Sequence, residues 1–147
     1  MAATVSTRIL EDGPRNAVLW VEGSNGATGA NPGTGGADLA YQQLILPSAL
    51  GYIDIARKLR AAQLRIDSIE WDVQAEASMR VDLFWDASPT PAIAYSCIGR
   101  ANKWFKDVGG LYVPSGLAGA TGGIGISTTN APATFAAYTI MLRLVKQ

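Results

Sequence analysis

The chain of 147 residues contains no histidine. That absence removes the histidine general base, every Ser-His or Cys-His nucleophilic pair and every zinc site with an imidazole ligand. Cysteine occurs once, at Cys97, so no internal disulfide and no thiolate cluster can form; a lone cysteine fits manufacture in a reducing cytosol. Charge is scarce as well, with only 16% of residues Asp, Glu, Lys or Arg against roughly 25% in an average soluble domain. Twelve cations balance twelve anions, and without a global field neither nucleic acid nor an anionic membrane is an expected partner. No apolar run reaches membrane-spanning length. The opening MAATVSTRIL lacks the basic and apolar regions of a secretory signal, so none is expected.

Length and hydrophobic content describe what remains. A chain this long suits one domain, 1–147, able to bury roughly 70% of its unfolded surface. With 48% hydrophobic residues and so little charge, much of the surface must be Ala, Gly, Ser and Thr. Such a surface is a hint that another chain covers part of it.

Periodicity gives the fold class. In 79–86, Met79, Val81, Leu83 and Trp85 alternate with Arg80, Asp82, Phe84 and Asp86, the period of two of a half-buried strand. In 66–73, Asp67, Ile69, Trp71 and Val73 alternate with Ile66, Ser68, Glu70 and Asp72, and the polar 74–78 between the two has hairpin size. Strands with one greasy face need a second layer, which argues for a sandwich or barrel of antiparallel strands, an all-β fold read here as an antiparallel β-sandwich. Further strands are expected at 16–22, 41–46, 92–98, 124–129 and 138–145, with shorter extended pieces at 103–108 and 111–114. The total is about eight strands, with an N-terminal arm at about 1–12. One short helix at most competes, where Ile53, Ala56, Leu59 and Ala62 follow helical spacing. Trp104 is expected to point inward.

Two glycine-rich loops, 23–36 and 116–123, punctuate the pattern. The first is not expected to be a nucleotide cradle: Gly36 is followed by Ala37-Asp38 instead of the Lys-Ser or Lys-Thr of a phosphate loop. The basic run Arg57, Lys58, Arg60 and Arg65 has acidic flanks and no interleaved aromatic, as on a solvated face.

Carboxylates are the remaining source of chemistry. Asp82 and Asp86 lie roughly 13 Å apart along one strand face, too far for a paired acid and base. Glu70 and Asp72 stand at i and i+2, a spacing that could serve calcium with help from carbonyls, though solvated carboxylates on a strand face explain them as well. No catalytic set, cofactor or metal is expected. Trp71 and Trp85 read as core. Phe84, set between two aspartates on a polar face, needs a cover, from another subunit or from a loop of the same chain.

Several segments taken together, DGPRNAV at 12–18, MRVDLFWDA at 79–87, GGLYVP at 109–114, GISTT at 125–129 and YTIMLRLVK at 138–146, resemble the capsid decoration, or cement, proteins of tailed bacteriophages. That resemblance implies a jelly-roll-like sandwich made in the host bacterial cytoplasm and carried on the outer capsid surface. There it would bridge subunits of the major capsid protein and self-associate as a dimer or trimer. The interface candidates are Thr4, Val5 and Arg8 of the arm, Asn25 and Asn31 of the first glycine loop, and Phe84. The alternative is a tail or head-fibre component whose aromatics meet a host surface or glycan.

Overall fold

The computed structural model describes residues 2–27, 36–74 and 79–147. They form β1 (Thr4–Asp12), β2 (Asn16–Ser24), β3 (Gln42–Ile45), β4 (Leu64–Gln74), β5 (Arg80–Ala87), β6 (Ala92–Cys97), β7 (Arg100–Trp104), β8 (Ala120–Thr129) and β9 (Ala137–Lys146). Two single 3-10 turns, Pro47–Ala49 and Lys106–Val108, are the only helical pieces among the described residues.

The pairing follows one rule. β2 pairs with β9, β3 with β8, β4 with β7 and β5 with β6, all antiparallel. The chain is thus a long two-armed ribbon, β2 to β5 against β6 to β9. Rolling that ribbon brings β9 onto β4 and β8 onto β5. The result is a five-stranded sheet, β1-β2-β9-β4-β7, over a four-stranded one, β3-β8-β5-β6. This is an antiparallel jelly-roll sandwich, with β1 added outside the eight strands of the roll.

Inward rows from both sheets make the core. Leu19 and Val21 of β2, Ile69 and Trp71 of β4, and Ile140 and Leu142 of β9 pack with Val81, Leu83 and Trp85 of β5 and Ile124 and Ile126 of β8. Trp85 is 2% exposed, and truncating so large a buried side chain costs about 3–5 kcal/mol. Cys97 ends β6 in full burial.

Several expectations need correction. β4 and β5 do not form a hairpin: they lie in opposite sheets. Each has an apolar face needing cover, and placing them in different layers lets those faces contribute to the same core. Ile66 and Ile69 are both buried, although strict alternation puts them on opposite faces, because the register shifts between Ile66 and Ser68 and resets the phase. The helical spacing at 53–62 forms no helix; Asp54 bridges Leu59 across a tight turn with Lys58 at φ 54°, and Ile55 is 75% exposed. Trp104 faces solvent at 52% exposure, while its neighbour Phe105 is buried. The second glycine segment is a loop only to Gly119, since β8 begins at Ala120. Residues 4–12, read as an arm, are hydrogen-bonded along β2 as an edge strand.

Candidate functional site

Because directly paired residues project to the same side of a sheet, register alone lays out the outer face of the five-stranded sheet. One row runs Arg8, Trp20, Met141, Glu70, Asn102 from β1 to β7, and the next runs Ser6, Glu22, Thr139, Asp72, Arg100. Where these rows cross β2, β9, β4 and β7 there is an open depression of about 550 Å³, lined by Trp20, Met141, Thr139, Glu70, Asp72, Arg100 and Asn102 among others. Trp20, Met141, Thr139, Glu70 and Asp72 are half-buried, and Arg100 and Asn102 are exposed.

Among the described residues, little within the depression ties these polar groups to one another. The Trp20 indole N–H donates to Glu22 at 3.5 Å, and the Gln74 amide donates to Asp72 at 3.4 Å, both at the long limit of a hydrogen bond. Neither Glu70 nor Arg100 takes part in an ion pair among the described residues. Beyond the depression, the Arg143 guanidinium sits 5.8 Å from the centre of the exposed Trp104 ring.

The outer face of the four-stranded sheet is built differently. Asp86, 7% exposed, accepts hydrogen bonds from Tyr41, from Gln43 at 2.9 Å and from Thr121 at 2.5 Å. Burial pushes its carboxyl up, but the bonds from Thr121, Tyr41 and Gln43 outweigh that and hold it below the usual range. Burial, together with the bond to Asp86, drives the Tyr41 hydroxyl well above its ordinary value. Both carboxylate oxygens of Asp86 are therefore engaged, and the cluster pins β3 to β5 and β8. On the same face Asp82 is held by Arg80 and Ser96.

The sequence-derived interface candidates do not converge. Thr4, Val5 and Arg8 share β1: Thr4 and Arg8 are exposed, while Val5 is half-buried against the core. Phe84 lies on the other sheet, half-buried and edge-on to Tyr41 with ring centres 5.4 Å apart. Its cover is thus at least partly its own chain, although its strand partner Ile93 is 56% exposed. Asn25 is a correction. It is fully buried, donating to the carbonyls of Pro132 (2.9 Å) and Thr134 (2.7 Å) and accepting from the backbone N–H groups of Ala27 and Ala136. A side chain satisfied at four points has nothing left for a partner. Asn31 lies outside the described residues.

Sequence reasoning did not single out Met141, Arg100 or Asn102, and it left open whether Trp20 faces the core or solvent. The run 17–21 is apolar on both faces, so alternation could not show which of its residues face outward. Glu70 and Asp72 were visible as a pair. Among the described residues no group of three or more acidic, histidine or cysteine side chains gathers where a metal ion could be held, so calcium gains no support from their placement.

No protein-family model matches the chain, and no curated protein matches it. Among solved structures, a cupin domain of Schizosaccharomyces pombe Cnp3 aligns over 97% of this chain at 10% identity with a TM-score of 0.34. The chain spans 61% of that domain's length. At that score the likeness carries no argument about function.

Proposed function

We propose that this chain is a structural protein of a phage virion, binding the outer surface of the capsid and bridging major capsid protein subunits. The observation that carries the proposal is β1. It is an edge strand nine residues long, lying outside the eight-stranded roll, and every residue but Val5 is exposed. An unpaired strand edge is a template for another chain, and proteins that work alone usually shorten or cover such edges. Here Ile9 and Leu10 are 44% and 48% exposed, so apolar surface accompanies the open backbone.

A neutral, charge-poor sandwich with an extended edge suits the mechanical task of cement. Contacts laid across subunit boundaries add interfaces that internal pressure must break along with those of the shell. Each contact can be weak, because a protein touching several subunits gains from effective concentration. Self-association as a dimer or trimer through the same edge would extend the bridge. No catalytic role enters this reading.

Quantitative mass spectrometry of purified particles tests it. A copy ratio to the major capsid protein near one, or a simple fraction of it, is expected. A handful of copies per particle would move the protein to a tail or fibre, and its absence from particles would end the proposal. Deleting residues 1–7 is expected to lower capsid occupancy while leaving a cooperatively folded roll; undiminished occupancy would remove β1 from the contact.

A further inference from the structure

We propose that the depression on the outer face of the five-stranded sheet binds a neutral oligosaccharide, with one sugar ring stacked on Trp20 and its hydroxyls held by Glu70, Asp72, Asn102 and Arg100. This is a binding activity separate from attachment through β1, and it rests on a different surface.

The chemistry of the lining selects the ligand. Apolar contact within the two outward rows comes chiefly from Trp20 and Met141, enough for the C–H face of a sugar but little for the dry aromatic and aliphatic centre of a protein interface. Around them stand a hydroxyl (Thr139), two carboxylates (Glu70, Asp72), a primary amide (Asn102) and a guanidinium (Arg100). That set supplies both acceptors and donors, as adjacent hydroxyl groups require, since each hydroxyl both donates and accepts. The capacity is open, because among the described residues the side-chain hydrogen bonds that reach these polar groups are few and long.

Charge narrows the choice. Glu22, Glu70 and Asp72 outnumber Arg8 and Arg100 in the two rows, so a uronate, a sialylated glycan or a phosphate ester would meet net repulsion. A neutral sugar meets none. Size agrees as well: about 550 Å³ lies within the roughly 300–1,000 Å³ of small-ligand sites. The span from β2 to β7 crosses three strand spacings, about 14 Å, which accommodates more than one sugar ring. Four adjacent strands carry the lining, so its side chains are mounted on a rigid element before any ligand arrives. An open site of this kind binds each ligand weakly. On a particle carrying many copies the weak sites would sum through multivalency; that gain depends on the capsid proposal, whereas binding by the isolated chain does not.

The test uses the full chain labelled with ¹⁵N and the indole N–H signals of its four tryptophans, that of Trp20 assigned with Trp20→Phe. Maltohexaose, cellohexaose, chitohexaose and mannohexaose are titrated, with hexagalacturonate as the acidic counter-probe. At least one neutral probe is expected to shift the Trp20 signal saturably while leaving that of buried Trp85 in place, and hexagalacturonate is not. Trp20→Ala is expected to weaken binding about tenfold or more. The double variant Glu70→Gln/Asp72→Asn, which keeps side-chain shape and therefore the fold, is expected to weaken it as well. If no neutral probe moves the Trp20 signal, if binding survives both variants, or if hexagalacturonate binds as tightly, the proposal falls. None of those results would alter the copy number on particles, so the two proposals fail separately.

Discussion

The ring of Tyr41 occupies the space that a side chain at Gly125 would fill. A β-carbon on Gly125 would overlap the Tyr41 ring and its hydroxyl oxygen. From that position Tyr41 donates to Asp86 and meets Phe84 edge-on. Glycine in the middle of a strand normally weakens it; here it admits an aromatic ring that covers one face of the four-stranded sheet. Gly125→Ala is therefore expected to destabilise the fold by about 1–3 kcal/mol, as overpacking does. Urea unfolding checks this. If the cause is the Tyr41 ring, Gly125→Ala should cost much less in a Tyr41→Ala background, and equal costs in both backgrounds would refute the contact.

That relationship shows where the sequence was legible and where it was not. The alternation in 79–86 and 138–145 identified strands because each has a continuous buried face, and the all-β class followed. Which strands pair did not follow: β4 and β5 have the same local pattern whether they form a hairpin or face each other across the core. The glycines of β8 looked like loop because a strand without side chains has no period. Trp20 and Trp104 face outward and Asn25 inward for tertiary reasons, namely the overlying Pro132 and Thr134 carbonyls for Asn25 and the register of β2 and β7 for the tryptophans. None of these leaves a mark in the local composition.

Asn25 ties the end of β2 to the segment ahead of β9, across more than a hundred residues of chain. Its amide nitrogen faces two carbonyl oxygens, so Asn25→Asp replaces two donated bonds with an oxygen set against oxygens. A loss of about 2–4 kcal/mol is expected, larger than for Asn25→Ala, which removes the bonds without adding repulsion. Denaturant midpoints at pH 7 give the ordering. The opposite ordering would mean that the carboxylate finds other partners.

Tyr138 presents the reverse situation. Its side chain is 1% exposed, its hydroxyl lacks a partner among the described residues, and burial pushes that hydroxyl's pKa up to about 12. The end of its ring abuts Gly23, where a β-carbon would overlap it, so the ring is fixed by packing rather than by its polar atom. Removing an unsatisfied buried hydroxyl relieves a desolvation cost. Tyr138→Phe is expected to be neutral or up to about 1 kcal/mol more stable, read from the urea midpoint at unchanged m-value. A clear loss of stability would show that the hydroxyl has a partner.

The pair of Asp12 with Lys146 contributes to the acid sensitivity of the fold. The buried Lys146 ammonium donates to Asp12, to the Gly13 carbonyl and to the Gly51 carbonyl at 3.1 Å, joining the ends of β1 and β9 to the segment after β3. Burial raises the Asp12 carboxyl, but the bond from Lys146, the backbone N–H of Gly51 and the charges of Lys146 and Arg60 outweigh it and leave its pKa below the ordinary 3.8. The unfolded chain therefore binds this proton more readily than the folded one. Asp12 contributes its full stabilisation above about pH 4, and that contribution is lost as pH falls through the depressed folded value. Asp12→Ala is expected to flatten this part of the acid limb and, by leaving a buried cation without its counter-ion, to cost about 2–3 kcal/mol at pH 7. Lys146→Met should cost less, because Asp12 is partly exposed and can turn to water. Unfolding free energies of the two variants between pH 2 and pH 7 decide the matter. An unchanged acid limb in Asp12→Ala, or a greater cost for Lys146→Met, would mean that this ion pair does not govern the acid response.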